Sequence, residues 1–303
     1  QMSDFVTELS EKVEYVEDVL SRKGVLKEEG YQKTVIEAMN YALNGGGKRL
    51  RPLIMSEVYT MYGGADKDII ESFMTALEMI HTYSLVHDDL PAMDNDEYRR
   101  GKKTCHVVYG EDMAILTGDA LLNRAFEVAL SCSDNKNPTD SARILCALRL
   151  MASKAGIYGM VGGQVFDVES ENLCKANTLE EILFIHRRKT SALLQIAFMT
   201  GAILAGAPKE DIELLSIIGE NVGIAFQIRD DILDVIGDEE VLGKPVGSDE
   251  RNNKQTYVSI KGLEKAKEDV DAFSKLALSS FDKLSSKNDF LRELIVSLVL
   301  RDK

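Results

Sequence analysis

Residues 214–234 read LLSIIGENVGIAFQIRDDILD. Leu214, Ile217, Ile218, Val222 and Ile224 recur at the three- and four-residue spacing of one face of an α-helix. The same spacing returns at Leu291, Leu294, Ile295 and Leu298. The five prolines, Pro52, Pro91, Pro138, Pro208 and Pro245, leave long intervals rich in Leu, Ala, Ile, Glu and Lys, which suits long helices with prolines at their ends. Alternating strand patterns closed by Asn-Gly or Asp-Gly turns are nearly absent. The expectation is an all-α bundle of long helices forming a single domain over residues 1–303, with turns at 44–47, 133–138, 206–208 and 237–253. Gln1 ahead of Met2 reads as a remnant of expression.

Composition narrows the function. The chain has 303 residues, 36 Lys plus Arg against 50 Asp plus Glu, a net charge of −14 and 45% hydrophobic residues. That apolar fraction supports a substantial core and argues against disorder. An isoelectric point near 4.9 argues against general nucleic-acid binding, because no phosphate-tracking surface is built over the whole molecule. Cys105, Cys132, Cys146 and Cys174 are widely spaced without a C-x-x-C pair, so they read as reduced thiols of a cytoplasmic protein. The N-terminus is acidic from Asp4 and lacks a secretory pattern. Thr190 to Pro208 carries no charge, yet Gln195, Thr200, Gly201 and Gly206 make it a buried helix rather than a membrane span.

Two acidic clusters stand far apart: Asp88, Asp89 and Asp94 in DDLPAMD, and Asp230, Asp231 and Asp234 in DDILD. In the second, Asp230 and Asp234 are four apart, and Gln227 and Asp231 share nearly the same face. Like charges packed this way need cations, and oxygen-only ligands select a hard ion such as Mg²⁺. In the first, Pro91 ends or bends the helix and lets Asp94 return towards Asp88. Leu85, Val86, Leu90 and Met93 around one cluster, and Ile228, Ile232, Leu233 and Val235 around the other, are too apolar for solvent-facing acidic strips.

The loop Gly45-Gly46-Gly47-Lys48-Arg49-Leu50-Arg51-Pro52 is flexible and then cationic, an oxyanion cradle without the Walker A spacing. Further cations follow at Arg99, Arg100, Lys102 and Lys103, at Arg187, Arg188 and Lys189, and at Lys244, Arg251 and Lys254. Basic clusters beside acidic motifs in an acidic chain point to a polyanion held directly and through metal, most consistently a diphosphate. His81, His87, His106 and His186 lack zinc spacing.

Together GGGKRLRP, HTYSLVHDDLPAMDNDEYRRGK, GGQVFDV, HRRKTSALL, FQIRDDILD and LGKPVGSD resemble the trans-prenyltransferases of the polyprenyl synthase family, in order, from about Tyr41 to Arg301. The longer DD-x-x-x-x-D form of the first motif resembles the bacterial members that make farnesyl diphosphate. The resemblance implies a deep central cavity within the helical bundle, a homodimer, and three Mg²⁺ per active site. It implies that Lys48, Arg51, His81 and Arg100 bind isopentenyl diphosphate, while Arg99, Lys189, Thr190, Gln227 and Lys244 hold the allylic diphosphate. Asp88, Asp94 and Asp230 would coordinate magnesium, with Asp89, Asp231 and Asp234 as further ligands or partners of ligands, and Lys254 as a late contact. Gly156, Gly159, Gly162, Gly163, Gln164 and Asp167 resemble a helix lining the cavity, and Arg301 and Lys303 a basic tail.

The implied reaction is magnesium-dependent head-to-tail condensation of isopentenyl diphosphate with dimethylallyl or geranyl diphosphate. Tyr83 lies five residues before Asp88, about 7.5 Å deeper along a helix, where an aromatic ring would act as a floor for the growing tail. In the family that the sequence resembles, a large aromatic at this position goes with the fifteen-carbon product, so the resemblance favours (2E,6E)-farnesyl diphosphate, with Ser84, Met79 and Ile80 able to alter the depth. The alternatives are a geranylgeranyl diphosphate synthase and a non-catalytic partner subunit. Degraded aspartate motifs are expected of such a subunit, whereas both motifs here are complete.

Overall fold

A computed structural model of the chain describes residues 2–173, 177–237, 247 and 255–300. The chain divides into two compact units, residues 1–60 with 64–148, and residues 61–63 with 149–303. Helices α1 (Met2–Lys23), α2 (Lys33–Leu43), α3 (Leu50–Met61) and α4 (Lys67–Asp88) open the first unit. A two-residue antiparallel ladder of β1 (Tyr98–Arg99) and β2 (Lys102–Lys103) follows, then α5 (Cys105–Tyr109), α6 (Glu111–Ser131) and α7 (Pro138–Ala155). Next come α8 (Met160–Asn172), α9 (Leu179–Ile185), a π-helical turn at His186–Thr190, α10 (Ser191–Ala205) and α11 (Lys209–Ile236). Helices α12 (Tyr257–Lys261), α13 (Leu263–Asp282) and α14 (Asp289–Val299) complete the described chain. The all-α expectation holds.

Helix α4 is the axis of the first unit. Asp66 caps it by accepting the Ile69 amide at 3.2 Å, and Lys136 secures the cap at 2.8 Å. Every residue from Ile69 to Ile80 is buried, with α6, α1 and α2 packed around it. A helix buried on all sides shows no amphipathic stripe. Helix α11 is the axis of the second unit, where α10 and α13 pack against it. Pro138 opens α7 at its first position and Pro208 precedes α11, where the missing amide proton costs nothing. Gly206 and Gly237 end α10 and α11 in the left-handed conformation.

The uncharged stretch expected to be a core helix is α10, buried along almost its whole length. A different stretch, residues 138–172, is long and apolar enough by length and composition to cross a membrane, and a third of its most apolar window is buried. It turns at residues 156–159, between α7 and α8. Cys105, Cys132 and Cys146 are free thiols, and Cys174 lies outside the described residues.

Candidate active site

The first unit gathers cations around the start of α3 and the hairpin after α4. A solvent-open pocket is lined by Gly45, His81, Arg99, Arg100, Lys102 and Lys103, with Glu78 and Asp89 in its wall. The hairpin turns through Arg100 (φ +49°) and Gly101 (φ +73°), two successive positive-φ residues of the kind that match strand twist. Arg100 Nη1 then donates to the Gly46 carbonyl at 2.6 Å. Tyr41 donates its hydroxyl to the Lys103 carbonyl at 2.6 Å, pinning the hairpin to α2. The hairpin escaped the sequence reading because Arg-Gly is not a favoured turn pair.

His81 lies 3.4 Å from Arg51 through Nε2 and Nη1. Loss of water, then Arg51, Arg100, Arg99 and Arg49, hold its pKa well below the ordinary histidine value, so the ring is neutral. A neutral imidazole among guanidinium groups keeps one N–H to donate without adding to their repulsion. Lys48 is exposed and Arg51 half-buried. Arg49 corrects the reading of three cradle cations: it is 3% exposed and turns inward, bonding Glu78 at 2.9 Å, Glu17 at 2.6 Å and the Leu43 carbonyl at 2.7 Å.

The first acidic set lies at the C-terminal end of α4. The Asp94 amide donates to the Asp88 carbonyl at 2.8 Å, and the Asp96 amide to the Asp89 carbonyl at 3.1 Å, so the chain turns back after Pro91. Asp89 is 3% exposed and grips Arg99 through both oxygens, the two shortest contacts being 2.7 and 2.9 Å. Arg99 is thereby held in place rather than free to swing. Tyr83, 7% exposed, sets its ring edge-to-face on His87 at 5.8 Å. Ser84 donates to the His81 carbonyl at 2.6 Å.

In the second unit the π-helical turn carries His186 to Thr190. Such turns widen a helix by one residue and recur at functional sites. Gly163 of α8 is placed so that a Cβ would stand 2.7 Å from Arg188 Cβ and 2.9 Å from the Lys189 nitrogen. Only glycine permits that approach. Gly156, Gly159 and Gly162 instead crowd carbonyls of Ala152, Lys154 and Ile157 at the turn between α7 and α8. Lys189 pairs with Asp167 at 3.0 Å, and Thr190 donates to Gln227 Oε1 at 3.2 Å. Asp231 and Asp234 are each 4% exposed, whereas Asp230 is half-buried. Lys244, Arg251, Lys254, Arg301 and Lys303 lie outside the described residues.

The polyprenyl synthetase family model matches residues 32–294. The chain belongs to that family. Within the polyprenyl synthetases it is 50% identical over 267 residues to a farnesyl diphosphate synthase of Bacillus subtilis, covering 88% of each chain. It is 44% identical over 263 residues to a geranylgeranyl diphosphate synthase of Cyanophora paradoxa, covering 87% of this chain and 85% of that one. Its fold superposes with a TM-score of 0.80 and 30% identity on a geranyltransferase of Helicobacter pylori crystallised with magnesium and isoprenyl diphosphate, covering 97% and 96% of the two chains. The all-α fold and the enzyme class agree with the sequence expectation.

The acidic sets offer carboxylate oxygens alone, donors suited to a hard divalent cation. Among the described residues, no three His, Cys, Asp or Glu side chains converge as a ready-made metal cage. Mg²⁺ takes one or two carboxylates and completes its octahedron with water and phosphate oxygens. The sparse first set, beside the cationic pocket, therefore fits Mg²⁺ bound together with a diphosphate.

Proposed function

We propose that this polyprenyl synthetase condenses isopentenyl diphosphate with dimethylallyl and then geranyl diphosphate, giving (2E,6E)-farnesyl diphosphate. The observation that carries the reading is the cationic pocket of His81, Arg99 and Arg100 built onto the same helix end as Asp88, Asp89 and Asp94. That juxtaposition suits a polyanion held by cations on one side and by metal on the other.

In this reading Lys48, Arg51, His81 and Arg100 hold the isopentenyl diphosphate, with neutral His81 donating one hydrogen bond. Arg99, fixed by Asp89, joins Lys189, Thr190, Gln227 and Lys244 on the allylic diphosphate. Asp88, Asp94 and Asp230 would hold three Mg²⁺, with Asp89, Asp231 and Asp234 supporting them and Lys254 adding a late contact. Bound magnesium would neutralise the leaving diphosphate.

The chain's own residues then govern the fate of the allylic cation. Thr190 and Gln227 present oxygen dipoles to it, and the double bond of isopentenyl diphosphate attacks it. The departed diphosphate is the base that takes the proton, so no side chain needs general-base tuning. Tyr83 closes the space for the tail at fifteen carbons. A cytoplasmic homodimer is proposed with this activity; Ile115 and Leu116 on α6 and Leu145 on α7 are exposed apolar residues in the first unit that suit a subunit interface.

Incubation with dimethylallyl and isopentenyl diphosphates, with Mg²⁺ or with EDTA, followed by sizing of the dephosphorylated alcohols, tests the proposal. A magnesium-dependent fifteen-carbon alcohol is expected. A twenty-carbon alcohol would keep the reaction and overturn the chain-length reading. No condensation would favour a non-catalytic partner subunit.

A further inference from the structure

We infer that Asp231 works through Gln227: its carboxylate fixes which end of the Gln227 amide faces Thr190, and so sets the polarity of the oxygen groups offered to the allylic cation. The inference rests on the reading above, in which Thr190 and Gln227 face the reacting group.

A glutamine amide has two ends of nearly equal size, and a neutral neighbour accepts either. An ionised carboxylate does not, because it only accepts hydrogen bonds. Gln227 Nε2 donates to Asp231 Oδ1 at 3.1 Å across one turn of α11. The other carboxylate oxygen, Oδ2, receives the backbone amide of Tyr257 at 3.4 Å, so Asp231 is held from two directions. Tyr257 is in turn anchored by its hydroxyl, which donates to Asp269 at 2.5 Å.

With the NH₂ end committed to Asp231, Gln227 Oε1 faces the π-helical turn, where Thr190 Oγ1 donates to it at 3.2 Å. The protons therefore run one way, from the Thr190 hydroxyl to Gln227 and from Gln227 to Asp231. The oxygens of Thr190 and Gln227 each keep a lone pair beyond these bonds, the right polarity for a developing cation, while the Gln227 NH₂ stays turned to the Asp231 side. The distance between turn and helix is fixed separately: Ser191 Oγ donates to the Glu220 carbonyl at 2.9 Å, and Gly223 leaves the room that Ser191 fills. His186 Nε2 stands 3.9 Å from Asp231 Oδ2, but its pKa is depressed to about 4 by burial, so at neutral pH the ring adds no charge beside Asp231. Asp231, 4% exposed, is thus a positioning residue in a motif whose first member, Asp230, is the more open to solvent.

The test compares Asp231→Asn, Gln227→Ala, the double variant and Asp230→Asn with the parent. Asp231→Asn can turn its own NH₂ towards Gln227 and is expected to lower kcat about 10- to 100-fold, the scale of a lost charged hydrogen bond in the transition state. The half-saturating Mg²⁺ concentration should stay within about twofold of the parent, and the Gln227→Ala background should show no further loss. The rise in Tm on adding Mg²⁺ with inorganic diphosphate should survive in Asp231→Asn and shrink in Asp230→Asn. Additive losses in the double variant, or a Mg²⁺ requirement raised as in Asp230→Asn, would overturn the inference. A parent that condenses nothing would bring down the functional reading and this relay with it, whereas additivity in an active parent removes the relay alone. Should Asp231→Asn lose its helical CD spectrum, Gln227→Leu serves instead: a similar fall in kcat at unchanged Mg²⁺ dependence supports the relay, and an unaltered kcat overturns it.

Discussion

Arg100 occupies the space that any side chain on Gly47 would need: a Cβ there would stand 2.8 Å from Arg100 Nη1 and 3.1 Å from its Cζ. Gly47 also holds φ at +133°, which L side chains rarely adopt. The glycine loop therefore seats a cation of the pocket proposed for isopentenyl diphosphate. Gly47→Ala should raise KM for isopentenyl diphosphate by about tenfold or more, the scale of one displaced charged hydrogen bond, and leave KM for the allylic diphosphate unchanged. Initial rates with each substrate varied in turn provide the check, and equal KM values for parent and variant would remove Arg100 from that pocket.

Asp88 and Asp94 are joined through their backbones at 2.8 Å, so the first acidic set is shaped before any ligand arrives. Preorganisation of this kind raises the worth of each carboxylate. Asp88→Ala and Asp230→Ala should each cut turnover by about 10²- to 10³-fold or more while the helical CD spectrum stays intact. EDTA should do the same to the parent. Retained turnover in either variant would break the metal assignment.

Tyr83 is held by its neighbours rather than by its own rotamer alone. His87, on which its ring rests, brings Nε2 within 2.9 Å of the Ile115 carbonyl, and Gly118 on α6 leaves room for the imidazole. A ring clamped in this way can serve as a rigid floor. Tyr83→Ala should shift product towards twenty carbons and cost about 3 kcal/mol in stability, the usual cost of emptying a buried aromatic site. An unchanged fifteen-carbon product would place the floor elsewhere.

Helix α11 and both acidic motifs were legible because their signals are local: apolar spacing, and aspartates four to six residues apart. Helix α4, buried all round, has no stripe to read and was marked only by Pro91 beyond its end. Arg49 was not legible. Its partners Glu17 and Glu78 lie 32 and 29 residues away, and a string of basic letters gives the charge without the direction of the side chain. Burial opposes its charge, and the two carboxylates more than offset that, raising its pKa. The Asp89–Arg99 grip was invisible for the same reason, since it depends on which way a side chain turns, whereas the shared face of Gln227 and Asp231 was legible from their four-residue spacing. Arg49→Ala leaves Glu78 buried and unpaired and should destabilise the protein by about 3–5 kcal/mol, read as a lowered urea midpoint at unchanged slope.

His186 makes stability depend on mild acid. Burial, partly offset by Asp167 and reinforced by Lys189, depresses its pKa to about 4, against an ordinary 6.5 in the unfolded chain. Between those values the unfolded chain takes up a proton that the folded one refuses, so stability is full above about pH 6.5 and falls as pH drops towards 4. The difference of about 2.5 units corresponds to about 3 kcal/mol at the acid end. His81 is depressed too and contributes in the same direction. Asp66, Asp211 and Asp269, held low by their hydrogen-bond partners, lose their contribution only below about pH 4. Subtracting a His186→Met variant isolates the one group: Tm of the parent should fall more steeply between pH 7 and 5 than Tm of the variant. Parallel curves would mean that His186 takes up its proton in the folded protein, and that its 3.9 Å approach to Asp231 becomes an ion pair in mild acid.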